Sequence, residues 1–324
     1  MTRREGEPAT TDGLTVPSLI DPPEEKADWV ELYALKDDDG NASFADLISA
    51  LGLSGTADAI EEEDDEGPLE ELTDEDHYEG AAEAAFQEIT DRVDACRGVK
   101  DGYPFALTNN AVLRRNDSIG SVYCFLLMLS RFGHKAGGSE GAKLFEELCA
   151  EAAKSYFGID KTHVRSSVFG FPRRVGPAGF ARALDALCCE LGEGRGARQR
   201  PNSADQKDAK LDVVAWRSFA DGRQGKLIAF GQCATGTDWK NKTTELGQPM
   251  DWCRLWMQDT PAVPPIRMFF VPHRISETVW FQTCVNGGIL FDRCRIVQHS
   301  ETVPEDLRKQ LAEWSVAAVA ENLK

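Results

Sequence analysis

The sequence predicts an α/β protein, with a mixed central sheet flanked by helices and an acidic, mostly helical N-terminal region. Apolar residues recur at helical spacing through the middle of the chain, and near residue 211 the spacing changes to that of strands. Acidic residues concentrate in the first hundred positions. Because helices followed by strands and further helices pack in layers, we expect one mixed sheet between helices.

Charge is divided unevenly along the 324 residues. Residues 1–100 carry 29 acidic and 7 basic side chains (net −22), whereas the rest carries 25 and 29 (net +4). Such asymmetry indicates an interaction arm, or nucleic-acid contact by the basic part. We therefore expect residues 1–77 to be partly disordered, with a loose segment at 1–27 and a solvated acidic run at 61–67, and to bind a partner protein or the body's own basic face.

Several classes of protein are disfavoured. No apolar stretch approaches the ~20 residues that a membrane span needs, and the N-terminus lacks the apolar middle of a secretory signal. The nine cysteines form no C-x-x-C pair and no zinc-type spacing, so they are expected to be reduced core residues. These features favour a cytoplasmic protein without membrane contact.

The elements follow in order from local signals. Ser43 and Asp46 predict a capped helix, and residues 78–98 predict another with Ala82, Phe86 and Ile89 on its buried face. We expect residues 78–138 to form a helical region that packs on the main domain, residues 139–324. That domain opens with helices at 139–158 and 177–192. Its strands are predicted in the following segments: "LDVVAW", "KLIAFGQ", "IRMFFVP", "TVWFQT" and "ILFDRCRIV". A helical stretch broken near Pro249 separates the second strand from the third, and a last helix covers residues 304–323.

Asp212 and Gln232 are the candidate ligands of a metal ion. The turn "ADGRQG" predicts that 211–216 and 226–232 pair as a hairpin, which brings the start of one strand to the end of the other. A hard cation such as Mg²⁺ prefers carboxylate, carbonyl and water oxygens. Lys240 and Lys242 follow, and a lysine can orient a water or bind a phosphate.

This arrangement resembles the PD-(D/E)xK, or restriction-endonuclease-like, nuclease superfamily. An apolar strand with an Asp, a hairpin, a strand ending in an acid or Gln and then a helix are typical of that family, and "KDAKLDVVAW" and "LIAFGQCATG" are similar to its two motifs. The helix "LFEELCAEAAKSYFG" resembles its first core helix, in which Glu146 or Glu147 corresponds to a frequent glutamate. The resemblance spans residues 140–298.

The resemblance implies a Mg²⁺- or Mn²⁺-dependent DNA endonuclease, in the setting of prokaryotic restriction or anti-phage defence. Asp212 and Gln232 would bind the metal and Glu146 would be a third acid. The sequence departs from the family at Ala234, where a lysine is expected, and Lys242 would be the displaced lysine.

Two other interpretations stay open. The domain could be a decayed nuclease subunit that binds nucleic acid or a partner without cutting, as Ala234 and Gln232 suggest. It could also be an adaptor that uses Trp239, Trp252 and Trp256 as a contact surface, although tryptophans are more often core residues. Among other polar residues, His273 is expected to be a strand-end residue. Asp292, Arg293 and Arg295 are expected to form an ion pair at a sheet edge.

Overall fold

The chain divides into two units, Met1–Met128 with Ala312–Lys324, and Leu129–Leu311. The structure is a computed structural model that describes residues 10–11, 14–58, 74–100, 102–133, 139–160, 162–170, 176–177, 179–199 and 207–323. The acidic run at 61–67 and residues 1–9 therefore lie outside the described residues. Within the predicted loose segment, Leu14, Val16 and Ala27 are buried, which differs from the expectation for that part.

The first unit combines helices with a small antiparallel sheet. Its elements are β1 (Thr10–Thr11), β2 (Leu14–Thr15), α1 (Pro23–Lys36), β3 (Asn41–Ser43), α2 (Phe44–Asp58), α3 (Asp74–Ala95), β4 (Phe105–Leu107), β5 (Ala111–Arg114), a 3-10 turn (Ser118–Gly120) and α4 (Val122–Phe132), which continues past the unit boundary. The sheet has the order β3-β5-β4. Strands β4 and β5 form a hairpin within residues 78–138, in a segment around Pro104 whose sequence predicts a loop or a short strand.

Local signals explain the start of α2. Ser43 Oγ accepts a hydrogen bond from the Asp46 backbone N–H at 3.1 Å, and Asp46 Oδ2 accepts one from the Ser43 N–H at 2.7 Å. This reciprocal capping box satisfies two donors that a helix start leaves unpaired, and it confirms the predicted N-terminus.

A buried arginine stands at the centre of the first unit. Arg92 of α3 is 0% exposed and forms ion pairs with Asp28 at 2.8 Å, Glu31 at 2.9 Å and Glu88 at 2.7 Å. The hydroxyl of Tyr123 donates to Glu31 at 2.8 Å. Because unpaired buried charges are strongly destabilising, this network makes the packing of α1 on α3 depend on one side chain.

The second unit is built on a five-stranded mixed sheet. Its elements are α5 (Ser139–Phe157), β6 (Val164–Val168), α6 (Phe180–Leu191), β7 (Val213–Arg217), β8 (Leu227–Cys233), α7 (Trp239–Lys242), α8 (Pro249–Trp256), β9 (Ile266–Phe270), α9 (Glu277–Gly287), β10 (Ile289–Phe291), α10 (Arg293–Gln298) and α11 (Glu305–Asn322), which continues past the boundary. The strand order is β10-β9-β8-β7-β6. Strands β6, β7 and β8 are antiparallel neighbours, whereas β8, β9 and β10 run parallel. The mixed α/β sheet predicted from the sequence is therefore present.

The two faces of the sheet pack differently. Val214, Trp216, Ile228 and Phe230 join a core cluster with residues of α6 and α8. Side chains alternate along a strand, so residues of the other parity face α5, which packs against β6 and β7. The candidate site lies where α5 meets the start of β7.

Two strand predictions need correction, and one strand was not predicted. "TVWFQT" is part of helix α9, whose N-cap Ser276 accepts a hydrogen bond from the Thr278 N–H at 3.4 Å, so a serine cap overrides the strand-like composition. In "ILFDRCRIV" only Ile289–Phe291 is a strand, because Asp292 caps α10 through the Arg295 N–H at 3.0 Å. Strand β6 was not predicted, since an edge strand with two serines needs little apolar sequence.

Candidate active site

Asp212 is fixed at the start of β7 by both neighbouring strands. Its backbone N–H donates to Gly231 O at 3.0 Å, and its carbonyl accepts from Phe169 and Gly170 at 2.6 and 3.0 Å. Its carboxylate Oδ2 accepts from the Cys233 backbone N–H at 2.8 Å. The carboxylate is thereby oriented by backbone groups on either side, and it is only partly exposed.

The carboxylate of Glu146, on α5, lies close to the residues that hold the Asp212 backbone. The site of a Cβ on Gly170 would lie 2.3 Å from Glu146 Oε2, so this carboxylate occupies space that a glycine leaves open. The backbone N–H of that glycine is bonded to Asp212. The Glu146 carboxylate therefore lies beside a glycine that is hydrogen-bonded to the Asp212 backbone, and the charge of Asp212 acts on it.

Burial is the main influence on the ionisation of both carboxylates. Burial, and then the charge of Asp212, raise the pKa of Glu146 to about 8. Burial likewise raises the pKa of Asp212 to about 7; the Cys233 hydrogen bond opposes this shift and Asp208 reinforces it. Like charges held together disfavour full ionisation, and a bound proton or cation relieves the repulsion.

Glu146 and Asp212 are the residues that could hold a divalent metal ion. Among the described residues no group of three His, Cys, Asp or Glu side chains could hold a metal ion. Mg²⁺, however, is commonly held by one or two carboxylates, with waters and substrate phosphate completing its shell. Glu146 and Asp212 supply those two carboxylates and the charge that a dication would neutralise.

A lysine that sequence reasoning missed lies beside Asp212. Lys210 acts on the Asp212 charge, and its Nζ pairs with Glu245 Oε2 at 3.0 Å. Lys210 and Ala209 have φ of 67° and 53°, the left-handed region that non-glycine residues seldom occupy. Trp252 Nε1 donates to Ala209 O at 3.0 Å and holds this turn. Strained backbone of this kind concentrates at functional sites.

The predicted ligand Gln232 is buried and has both ends of its amide bonded. Its Nε2 donates to Glu245 Oε2 at 3.2 Å, and its Oε1 accepts from the Leu246 N–H at 3.2 Å. In the antiparallel pairing of β7 with β8, Val213 lies opposite Gly231, so Gln232 lies opposite Asp212. Gln232 therefore connects the end of β8 to Glu245, the acid that forms an ion pair with Lys210.

The other lysines and glutamate make different contacts. Lys242 Nζ lies 3.2 Å from Asp238 Oδ1, and Lys240 Nζ lies 5.8 Å from the centre of the Trp239 ring. Burial and Asp306 raise the pKa of Glu147, whereas the carboxylate beside Asp212 is that of Glu146. The lysine whose charge acts on Asp212 is Lys210, two positions before it in the quoted motif.

Two cysteines lie against the carboxylates. The thiols of Cys149 on α5 and Cys233 on β8 are hydrogen-bonded to each other, and burial raises the pKa of both. All nine cysteines are free and six are buried, as expected for reduced core residues, whereas Cys233 and Cys284 are half-buried and Cys189 is exposed. The two thiols are weakly polar groups that lie between α5 and β8, near both carboxylates.

The remaining sequence candidates have structural roles. Asp292 pairs with Arg274 at 2.6 Å, which confirms an ion pair there, although with a different arginine. Arg293 is buried and donates to Pro272 O at 3.0 Å, while the Arg295 guanidinium lies 4.4 Å from the centre of the Trp280 ring.

Two of the three candidate surface tryptophans are core residues. Trp239 and Trp252 are buried, and the third, Trp256, is half-buried. In the second unit, the ring of His273 lies 6.4 Å from that of Trp239, at the end of β9.

Comparisons with known proteins place the chain in no family. The sequence matches no protein-family model and no curated protein. A solved structure, that of protein VC1899 from Vibrio cholerae, aligns at 12% identity over 85% of this chain and 82% of that chain, with a TM-score of 0.15. A score so low carries no argument about fold or function. In the part of the chain that the structure describes, no helix is long and apolar enough to cross a membrane.

Proposed function

We propose that the second unit is a metal-dependent nuclease that hydrolyses phosphodiester bonds of DNA. The observation that carries this proposal is that the buried carboxylate of Glu146 lies against Gly170, whose N–H donates to the Asp212 carbonyl, and that the charge of Asp212 acts on Glu146. The charge of Lys210 acts on Asp212 in turn. The order of elements supports it: helix α5 carries the glutamate, β6 and α6 follow, and the aspartate directly precedes β7, which forms a hairpin with β8. Helices α7 and α8 and the parallel strand β9 come next. That order resembles the restriction-endonuclease-like pattern.

Each residue has a role in this proposal. Glu146 and Asp212 would hold Mg²⁺ or Mn²⁺, which when bound supplies an activated water and neutralises charge on the phosphate. Lys210 would bind a phosphate oxygen or orient the water. Gln232 positions Glu245, and Glu245 positions the lysine. Restriction or anti-phage defence is the setting that the resemblance suggests.

Plasmid nicking by the full chain with Mg²⁺ or Mn²⁺ tests the proposal. Asp212→Asn and Glu146→Gln should each abolish nicking, because a neutral amide cannot replace the charge of a metal-binding carboxylate. Asp259→Asn is the matched control, since Asp259 is exposed and pairs with Arg195 at 3.1 Å. Equal cutting by wild type and Asp212→Asn would refute the assignment.

The two lysine hypotheses separate in the same assay. Lys210→Ala should slow nicking by about 10²-fold, in the range for losing one electrostatic contact to the reacting group. Lys242→Ala should change the rate little, because its ammonium pairs with Asp238. The reverse order of effects would identify Lys242 as the displaced lysine instead.

A decayed nuclease subunit is the second candidate. Ala234 is 1% exposed and belongs to a core cluster with Trp239 and Phe269, so the position where the family has lysine is apolar here. A wild-type protein that binds DNA but never cuts it, with either metal and with the products of neighbouring genes added, would establish this candidate.

A further inference from the structure

Helix α5 carries two lysines, and each is three positions from a glutamate. Lys154 Nζ pairs with Glu151 Oε2 at 3.0 Å, as expected for side chains at this spacing on a helix. Lys143 stands three positions before Glu146, so the same kind of pair is within reach there. The Glu146 carboxylate, however, lies against Gly170 instead. The two lysines of one helix therefore differ in their electrostatic surroundings.

The ammonium of Lys143 is not neutralised by any neighbour in the described part of the second unit. The side chain is half-buried, and among the residues that the structure describes it forms no hydrogen bond and no ion pair. Its charge acts on Glu146, one of the two proposed metal ligands. A cation of this kind is available to an anion that enters the site.

We propose that Lys143 binds a phosphate of the DNA backbone next to the phosphate that is cut. This inference rests on the proposed nuclease function and adds a substrate-binding residue to it. The reacting phosphate is assigned to the metal ion and to Lys210, whereas Lys143 lies about one helical turn along α5 from Glu146. DNA offers a row of phosphates, so a cation displaced from the metal ligands can hold a neighbouring one. Such a contact fixes the position of the strand and reads no sequence.

Binding measurements in EDTA, where metal-dependent cutting cannot occur, test this contact. Fluorescence anisotropy of a labelled DNA duplex, at NaCl concentrations from about 50 to about 200 mM, gives the affinity of the full chain and its dependence on salt. Lys143→Gln keeps most of the side-chain length and removes the charge. It should weaken binding about 5-fold at the lowest salt concentration. It should also reduce the slope of log K against log [salt] by about 0.9, the value for one lost phosphate contact.

Two further variants make the result specific to this ammonium. Lys143→Arg keeps the charge and should retain the affinity and the slope of wild type. Lys154→Gln removes the same charge from the same helix, but the ammonium of Lys154 already pairs with Glu151, so affinity and slope should change little. Wild-type affinity and slope in Lys143→Gln, or an equal loss in Lys154→Gln, would overturn the inference.

Nicking assays separate this inference from the nuclease proposal. If wild type nicks DNA, Lys143→Gln should raise KM about 5-fold and leave kcat within about 2-fold, because the contact lies away from the reacting phosphate. A lower kcat with unchanged KM would overturn the inference and leave the nuclease function standing. If wild type never nicks but Lys143→Gln still binds DNA more weakly and with the smaller slope, the nuclease function falls and Lys143 remains a DNA contact.

Discussion

Neutralising Asp212 should make the protein more stable at alkaline pH. In Asp212→Asn the amide oxygen can still accept the Cys233 N–H, so the main change is the loss of a charge that burial disfavours. Wild type binds this proton more tightly when folded than when unfolded, because burial raises the pKa from 3.8 to about 7. Its stability therefore falls as pH rises from about 4 to about 7 and is level above that range.

The size of the effect follows from the pKa. One pKa unit corresponds to about 1.36 kcal/mol, so between about pH 5.5 and pH 7 the wild type loses about 2 kcal/mol that the variant keeps. Relative to wild type, Asp212→Asn should thus gain about 2 kcal/mol more free energy of unfolding at about pH 8 than at about pH 5.5. Above the folded pKa the total gain has an upper bound of about 4 kcal/mol.

Urea unfolding followed by tryptophan fluorescence, without divalent metal, would measure this difference. Asp259→Asn serves as control, because an exposed aspartate should change stability by about 0.5 kcal/mol or less at either pH. A variant that is destabilised at the higher pH, or whose gain does not depend on pH, would refute the reasoning that burial disfavours the Asp212 charge.

Four further predictions follow from the same contacts. Because metal ligands must be deprotonated, wild type should bind Mg²⁺ more tightly at about pH 8 than at about pH 6 in calorimetric titrations, and equal affinity would contradict the assigned ligands. Gly170→Ala should weaken Mg²⁺ binding in the same titrations, since the new methyl would displace the Glu146 carboxylate; unchanged affinity would argue against this ligand. Gln232→Ala leaves buried polar groups without partners and should lower the free energy of unfolding by about 1–3 kcal/mol, measurable in urea. Arg92→Met should lower it by about 3–5 kcal/mol because it leaves buried carboxylates uncompensated, whereas Arg97→Met, at a side chain 76% exposed, should change little.

Local sequence signals determined much of the secondary structure. The capping box of Ser43, the amphipathic pattern of α5 and the apolar alternation of β7 and β8 each act over a few residues, so they can be read without the fold. Where local signals conflicted, amino-acid composition gave the wrong secondary structure. The Val, Trp and Phe of "TVWFQT" favour a strand, but the segment lies in a helix that Ser276 caps.

Part of the candidate site was also open to sequence reasoning. Asp212 was found because it begins an apolar stretch predicted as one strand of a hairpin, and Glu146, with Glu147 as the alternative, because the resemblance implies a glutamate on the helix that precedes that hairpin. The two residues are more than sixty positions apart, however, so the sequence does not show that they lie near each other. It arises because α5 packs on β6 and β7, and because Gly170 leaves room for a carboxylate beside the Asp212 backbone.

Only the tertiary structure shows which lysine acts on Asp212 and which residues hold Gln232 in the candidate site. No periodicity in the sequence points to Lys210. Its left-handed backbone is held by a hydrogen bond from the Trp252 indole to the Ala209 carbonyl, and Trp252 lies far along the chain. Gln232 was expected to bind metal, and its bonds to Glu245 and Leu246 depend on where the segment after α7 folds back. Sequence determines short-range capping and alternation because these depend on neighbouring residues. The position of charged side chains relative to one another depends on long-range packing, which only the folded chain supplies.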